Sequence, residues 1–467
     1  MRVKLALPKG ELQNSTAELL EESGFAVGDY RDGSRSYRPR CESFPDLFLK
    51  VFHEKDIAIQ VAIGNYDLGI CRVEWVEELL AKYHSDAVVK VQDLGYGKRS
   101  LYAVAAGKRS LEQMKSRSDS LRIVSEYPNL AEIFALKQRL RRFQIFPVWG
   151  AAAVYPPENA ELAIIAETSP ERLREQGLAP VAKLLEGGAC LVANRGSMEK
   201  KALGRLLAAL SCKNGGVSEV RDSAASEEGV RTQYRGASKP VVSLALPDGH
   251  QQRHTVAFLN KAGLEVDGYN VGRALSRPRV GLEGVMVKVV RPQDMPLQVA
   301  NGNFDLAITG VDWLRDHLYR FPSSPVAELL PLGFGKVRIV AVVSKDMPVS
   351  GAEDLRKMRR DSALRVASEY VNIADRYAHD NHLVPYKLIP TWGASEAFLP
   401  EDADVLIENT ETGSTISRHN LKVIDTLFES TACLIGNTEA IRKPGKRDKI
   451  TALVENMRKG VGASCVS

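Results

Sequence analysis

Apolar residues occur in short β-branched runs, each followed by a segment with apolar positions at helical spacing. Val3–Leu7 (VKLAL) and Val241–Leu246 (VVSLAL) have the length and content of buried strands, and each leads through Pro-x-Gly into a helical pattern. YDLGI (66–70) and FDLAI (304–308) predict strands, while EWVEELLAKY (74–83) and VDWLRDHLY (311–319) predict amphipathic helices. RIVSEYPNLAEIFALKQRL (122–140) and RVASEYVNIADRYAHDN (365–381) read as strand, turn and helix. A helix is also expected over ISRHNLKVIDTL (416–427). Such alternation predicts α/β architecture built on parallel sheets.

The pattern is written twice. LALPKG (5–10) returns as LALPDG (244–249), SYRPR (36–40) as LSRPR (275–279), and LGYGK (94–98) as LGFGK (332–336). SEYPNL (125–130) returns as SEYVNI (368–373), and ACLVAN (189–194) as ACLIGN (432–437). The offset stays between 238 and 243 residues across the series. Chance similarity does not keep motif order this way, so residues 1–211 and 239–467 are read as two copies of one domain. The polar, Ser- and Gly-rich segment 212–238 is read as a linker. A copy of this size is expected to divide into two lobes with a ligand cleft at strand C-termini.

Composition narrows the class. Hydrophobic residues make up 44% of the 467 residues and charged residues 26%, as in a folded, non-fibrous protein. The net charge of +5 suits a small anionic ligand, and basic residues do not cluster with aromatics as nucleic-acid binding requires. The six cysteines show no CxxC pairing or metal-ligand spacing. With no signal-like start and no run of about 18 apolar residues, a cytoplasmic location is expected.

The two copies differ most at one loop. In the second copy an apolar strand runs into Glu408-Asn-Thr-Glu-Thr-Gly-Ser-Thr415; at the same place the first copy reads Ile165-Ala-Glu-Thr-Ser-Pro-Glu-Arg172. Phosphate binding needs inward N–H groups, a residue permitting close approach, and no competing charge. Gly413 and the hydroxyls of Thr410, Thr412, Ser414 and Thr415 meet those needs, and Glu408 has the chemistry to hold a ribose diol. The same residues also make an ordinary helix start. The twin keeps such a start, with Ser169 as N-cap and Pro170 in first position, but lacks a glycine and places Glu171 in the anion's path. Two further differences run the same way: Glu396 corresponds to Ala153, and Gly310 to Arg72, which would crowd a backbone-lined site.

In this order the motifs LALPKG, FDLAITG, LGFGK, SEYVNI, WGASE, DVLIENTETGST and ACLIGN resemble the catalytic domains of the ATP phosphoribosyltransferase family. The resemblance covers nearly all of both copies. It implies two tandem copies of a bilobal, type II periplasmic-binding-protein-like α/β domain with parallel or mixed sheets. It further implies transfer of 5-phosphoribose from phosphoribosyl pyrophosphate to N1 of ATP, with Mg2+ carried on the pyrophosphate, as the first step of histidine biosynthesis. On that reading Thr410, Glu411, Thr412, Gly413, Ser414 and Thr415 hold the 5-phosphate, and Glu408 and Glu396 hold the ribose, with Asp404 preceding them. Lys336, Tyr370, Arg277, Arg279, Arg291 and Gly310 are further contact candidates; solvated lysine, packed tyrosine and surface arginines are the plain alternatives.

The family's first loop carries Lys-Gly. Here Lys9 stands in the first copy and Asp248 in the second. The family's dimeric catalytic chains imply a pseudo-dimer in which the first copy lends basic residues such as Arg38, Arg40 or Lys55, with Lys9 a substrate-binding candidate of its own and a further homo-oligomer as an alternative. After ACLIGN no regulatory domain is expected, which resembles the family's short form and implies a separate subunit similar to histidyl-tRNA synthetase. Two other readings stay open: another purine nucleotide acceptor, suggested by Asp248 and His250, and a non-catalytic binding protein sharing the bilobal fold.

Overall fold

The structure is a computed structural model that describes residues 2–210 and 241–462, except 32, 35, 84–85, 108–110, 116–118 and 359–361. The expected linker, 212–238, lies outside the described residues. Each copy contains two five-stranded mixed sheets. In the first copy one sheet has the order Leu47–Phe52, Val3–Pro8, Leu68–Arg72, Ala189–Asn194, Val88–Asp93. Its first three strands are parallel, and Ala189–Asn194 runs antiparallel to both its neighbours. The other sheet has the order Phe143–Pro147, Leu121–Ser125, Leu162–Glu167, Arg99–Ala106, Leu178–Gly187.

The second copy repeats both orders strand for strand: Val285–Val290, Val242–Pro247, Leu306–Gly310, Ala432–Asn437, Val326–Pro331; then Tyr386–Pro390, Leu364–Ser368, Val405–Thr410, Val337–Ser344, Leu421–Ser430. Central strands are apolar on both faces because helices cover both, and each sheet carries its own hydrophobic core. Chain order makes each copy bilobal. The backbone leaves the first sheet through LGYGK or LGFGK and returns to it at Ala189 or Ala432.

By spatial grouping, the chain divides into two units. One comprises the first copy without Val148–Tyr155 but with Thr391–Ala397; the other comprises the second copy without Thr391–Ala397 but with Val148–Tyr155. Within the second unit that borrowed segment is bound in detail. The Trp149 amide donates to both carboxylate oxygens of Asp294, at 2.9 and 3.0 Å. Fully buried Lys288 donates its Nζ to the Tyr155 carbonyl at 3.1 Å.

One local expectation changes. The helix expected over 416–427 is a five-residue helix, Ser414–Arg418, followed by the strand Leu421–Ser430. Asn420, at φ +57°, ends the helix, and Leu421 to Phe428 is rich in β-branched and aromatic residues suited to a pleated surface. The second copy also gains a hairpin, Val266–Asn270 with Arg273–Val280, where the first has a single bridge between Val27 and Cys41.

Candidate active site

Val405–Thr410 lies inside its sheet, parallel to Leu364–Ser368 and antiparallel to Val337–Ser344, with Val405, Leu406 and Ile407 fully buried. The strand therefore delivers Glu408 and the loop after it from a rigid base. The Thr410 hydroxyl is buried and accepts the Gly413 amide at 2.9 Å; the Thr412 hydroxyl donates to Ser414 Oγ at 3.2 Å. Gly413 sits at φ +77°, ψ 4°, with open space where a Cβ would stand. Backbone conformation, not crowding, therefore calls for glycine here. The following helix has only five residues, so its dipole contributes little. An anion at this loop would be held by the loop's own amides and hydroxyls.

Beneath the loop a chain of polar contacts begins at exposed Asn409 and runs into the interior. Asn409 Nδ2 donates to Tyr370 Oη at 2.9 Å, and Tyr370 Oη donates to Asp312 Oδ2 at 2.7 Å. Ser430 Oγ donates to Asp312 Oδ1 at 2.9 Å and accepts the Asp312 amide at 3.0 Å. Tyr370 is 1% exposed, its ring tilted by 31° against Trp313 at 4.2 Å between centroids, and Asp312 is 4% exposed. Burial raises the Asp312 carboxyl above its ordinary value, against the hydrogen bonds from Tyr370 and Ser430. Burial first, then Asp312 and Glu408, pushes the Tyr370 phenol far upward, so it stays a donor. Asp316, one turn after Asp312, accepts the amides of Asn372 and Ile373 at the start of the next helix, both at 2.9 Å.

The first copy permits a position-by-position comparison. Strand register pairs Val340 with Glu408 and Ile339 with Asn409; its counterpart pairs Tyr102 with Ile165 and Leu101 with Ala166. Ile165 and Ala166 thus occupy the places of Glu408 and Asn409. The loop there starts a helix at Pro170 with Ser169 as N-cap and Glu171 in the first turn, as the sequence predicts. Arg72 takes the place of Gly310 and is consumed locally. Its Nη1 donates to Glu54 Oε1 at 2.6 Å and its Nη2 to Glu11 Oε2 at 2.7 Å. Arg99 bridges Glu74 and Tyr127, so no direct carboxylate–tyrosine bond forms like that of Asp312 and Tyr370. At Gly310 an added Cβ would lie 1.9 Å from Asp312 Oδ1, so the second copy's arrangement requires glycine there.

The remaining candidates are scattered. Half-buried Glu396 falls in the first unit and Glu408 in the second. Asp404 sits at the far end of the strand from the loop, where it accepts Arg365 Nη2 and the Arg365 amide, both at 2.8 Å. Glu161 and Arg122 repeat that pair in the first copy, which marks it as a fold element. Lys336 is exposed and 2.9 Å from Glu429. Arg277 donates to the Val154 carbonyl at 2.9 Å, and Arg279 lies exposed on the hairpin. Arg291 lies 3.1 Å from Asp248, so the acid in the lysine's place has a cation of its own. Burial nevertheless raises the Asp248 carboxyl, with Arg291 pulling it down. In the first unit Lys9 lies over the Tyr37 ring at 5.0 Å. Lys55 lies over the Trp75 ring at 4.7 Å and 3.8 Å from Glu126. Arg38 is half-buried and Arg40 exposed.

Sequence reasoning missed Asp312, Asn409 and Ser430. The one available signal was the acid that follows both variable positions, in TGVDW and CRVEW.

A family model described as HisG: ATP phosphoribosyltransferase matches residues 53–211 and 291–459, once in each copy. The ATP phosphoribosyltransferase of Geotalea uraniireducens is 31% identical over 229 residues, covering 48% of this chain and 74% of its own. ATP phosphoribosyltransferase 1 of Geobacter sulfurreducens is 30% identical over 229 residues with the same coverage. Among solved structures, a chain of the ATP phosphoribosyl transferase (HisG:HisZ) complex from Thermotoga maritima aligns with 48% of this chain and 100% of its own, at 20% identity and TM-score 0.39. The periplasmic aliphatic sulphonate binding protein SsuA from Escherichia coli aligns with 48% of this chain and 69% of its own, at 13% identity and TM-score 0.31. The family matches together span more than half of the sequence, and the chain belongs to the ATP phosphoribosyltransferase family.

Proposed function

We propose that the second copy is the catalytic one and transfers 5-phosphoribose from phosphoribosyl pyrophosphate to N1 of ATP, the family's two substrates. The observation that carries this is the contrast at one strand end. Glu408 and the Thr410–Thr415 loop stand in the second copy, while Ile165 and a Pro170 helix start stand in the first. In this reading the loop amides and hydroxyls take the 5-phosphate, and Glu408 accepts from the ribose hydroxyls. The N1 lone pair of adenine forms a bond to the anomeric carbon as the bond to pyrophosphate breaks, and the electron pair leaves with pyrophosphate. The chain's contribution is orientation and charge complementarity around an oxocarbenium-like centre. In this reading Mg2+ enters with the pyrophosphate as part of the substrate. Asp404, engaged with Arg365 at the opposite strand end, is left out of the site.

A second acceptor reading keeps the same donor but another purine nucleotide. The Asp248–Arg291 pair in place of the family's lysine favours testing it. A separate regulatory subunit similar to histidyl-tRNA synthetase, and a cytoplasmic location, belong to the same reading. Among the described residues no helix is long and apolar enough to cross a membrane.

The test is incubation with phosphoribosyl pyrophosphate, Mg2+ and a nucleotide panel, with and without such a subunit, followed by mass spectrometry. ATP is expected to gain a phosphoribosyl group and pyrophosphate to appear. Glu408→Ile and Gly413→Pro should abolish the adduct; full activity in both would refute the assignment. An adduct on a different purine nucleotide would replace ATP, and no adduct at all would leave a binding protein.

A further inference from the structure

We propose that Tyr370 is a positioning residue for the loop, fixing Asn409 at the end of a hydrogen-bond chain that starts at Asp312. Asp312 opens the helix Val311–Arg320, which follows a strand of the first sheet and packs against Val371–Asp380, with Trp313 against the core of the second sheet. Tyr370 is the N-cap of Val371–Asp380, and Asn409 is the penultimate residue of Val405–Thr410, both in the second lobe. The Tyr370–Asp312 bond therefore joins these two helices at 2.7 Å, and the Asn409 bond brings that junction within one residue of Thr410. Ser430 closes the chain where the backbone returns to the first lobe, immediately before Ala432–Asn437.

Three observations separate this from ordinary packing. First, a buried carboxylate held only by hydroxyls and amides is costly to keep. A phenylalanine would fill the same core without requiring it. Second, Asn409 is exposed, so its bond to Tyr370 is not forced by burial. Third, the first copy retains the tyrosine but not the chain. Arg99 lies between Glu74 and Tyr127, and Ala166 replaces Asn409, beside a loop that has lost its anion chemistry. Tyrosine, acid and amide are joined only where a phosphate loop has to be held in shape.

The ligand in this inference rests on the proposed function; the ordering of the loop does not. The test uses the full chain in two arms. In the ligand-free arm, hydrogen exchange of the amides of residues 410–415 is compared among the parent, Tyr370→Phe, Asn409→Ala, Asp312→Asn and Asp312→Leu. Tyr370→Phe, Asn409→Ala and Asp312→Leu should speed exchange there about tenfold, the scale of one net hydrogen bond. Asp312→Asn, which still accepts from the phenol, should keep most of the protection. In the second arm, KM for Mg2+–phosphoribosyl pyrophosphate should rise about tenfold in Tyr370→Phe and in Asn409→Ala, with the double variant no worse than the worse single. The loss should fall on this KM and not on kcat or on KM for the nucleotide. Parent-like exchange and KM in Asn409→Ala would overturn the proposal, and that exposed position decides even if Tyr370→Phe misfolds. Exchange that responds as expected in a parent protein that does not bind phosphoribosyl pyrophosphate would uphold the positioning and sink the ligand assignment.

Discussion

At the scale of single residues, the two copies show how one position changes the chemistry around it. Arg72 and Glu54 are almost fully buried and satisfy each other, so removing the cation strands a carboxylate in the interior. Burial already raises the Glu54 carboxyl, and Arg72 is the first group to offset it. Arg72→Ala should therefore cost about 3–5 kcal/mol, the usual scale for breaking a buried pair. Urea unfolding that places the loss below about 1 kcal/mol would show the pair to be solvent-screened. His317 carries the pH argument. Burial, then the neighbouring Arg320, lowers its pKa, and its Nε2 lies 2.8 Å from Ser324 Oγ. The unfolded chain thus binds the proton more readily, with an ordinary value of about 6.5. Stability from this group is present above that value and is lost as pH falls through the lower folded value. Melting temperature should drop on acidification below about pH 6.5 in the parent and less steeply in His317→Gln. Equal slopes would remove His317 as the cause. Little of this was legible beforehand. Tyr370 and Asp312 are 58 residues apart, and Tyr370 and Asn409 are 39 apart. No local periodicity reports such contacts, so the tyrosine read equally well as packing.

At the scale of elements, the strands were legible because their apolar runs are short, β-branched and repeated, and two examples of each strand support one reading. The segment after the loop reads as a helix because Ile416, Val423, Ile424 and Leu427 fall at i, i+7, i+8 and i+11, one helical face. Strand pairing of Leu421–Ser430 with Val337–Ser344 and a left-handed Asn420 override it. This bears on the loop exchange. In the first copy the N-cap is Ser169, whose counterpart is Thr412, yet the second copy caps one residue later, at Gly413. Proline cannot adopt φ +77°, so the triple exchange Thr412→Ser, Gly413→Pro, Ser414→Glu should start the helix one residue early. The first copy already accommodates that start, and fold stability should change by no more than about 1 kcal/mol. Binding of phosphoribosyl pyrophosphate should nonetheless vanish, because the exchange removes an amide and adds a carboxylate. Calorimetric titration together with thermal melting separates the two effects. Retained binding in a stably folded exchange variant would show that the loop is only a cap.

At the scale of the whole chain, the two copies share one fold, and the loop residues on which the proposed function rests stand in the second. Both copies have the same sheet orders and cores of their own, and the family match covers each. Shared fold therefore predicts two ligand sites, while residue chemistry predicts one. The chemistry should prevail. The first copy lacks Glu408's counterpart, carries proline where the loop needs a flexible amide, and has Arg72 tied to Glu54 and Glu11. Titration with Mg2+–phosphoribosyl pyrophosphate should saturate at one equivalent per chain, and Glu408→Ile should abolish binding instead of halving it. The first copy's response to Arg72→Gly separates a blocked site from a lost one. If the arginine merely fills a competent cleft, its removal should restore a second equivalent. If Ile165 and Pro170 have already ended the chemistry, the count should stay at one. The loop differences predict the second result, because no side-chain removal elsewhere returns an N–H to Pro170 or a carboxylate to Ile165. Two equivalents in the parent chain would mean that an anion can be held at the first copy without the glycine loop, and the division of labour between the copies would have to be given up.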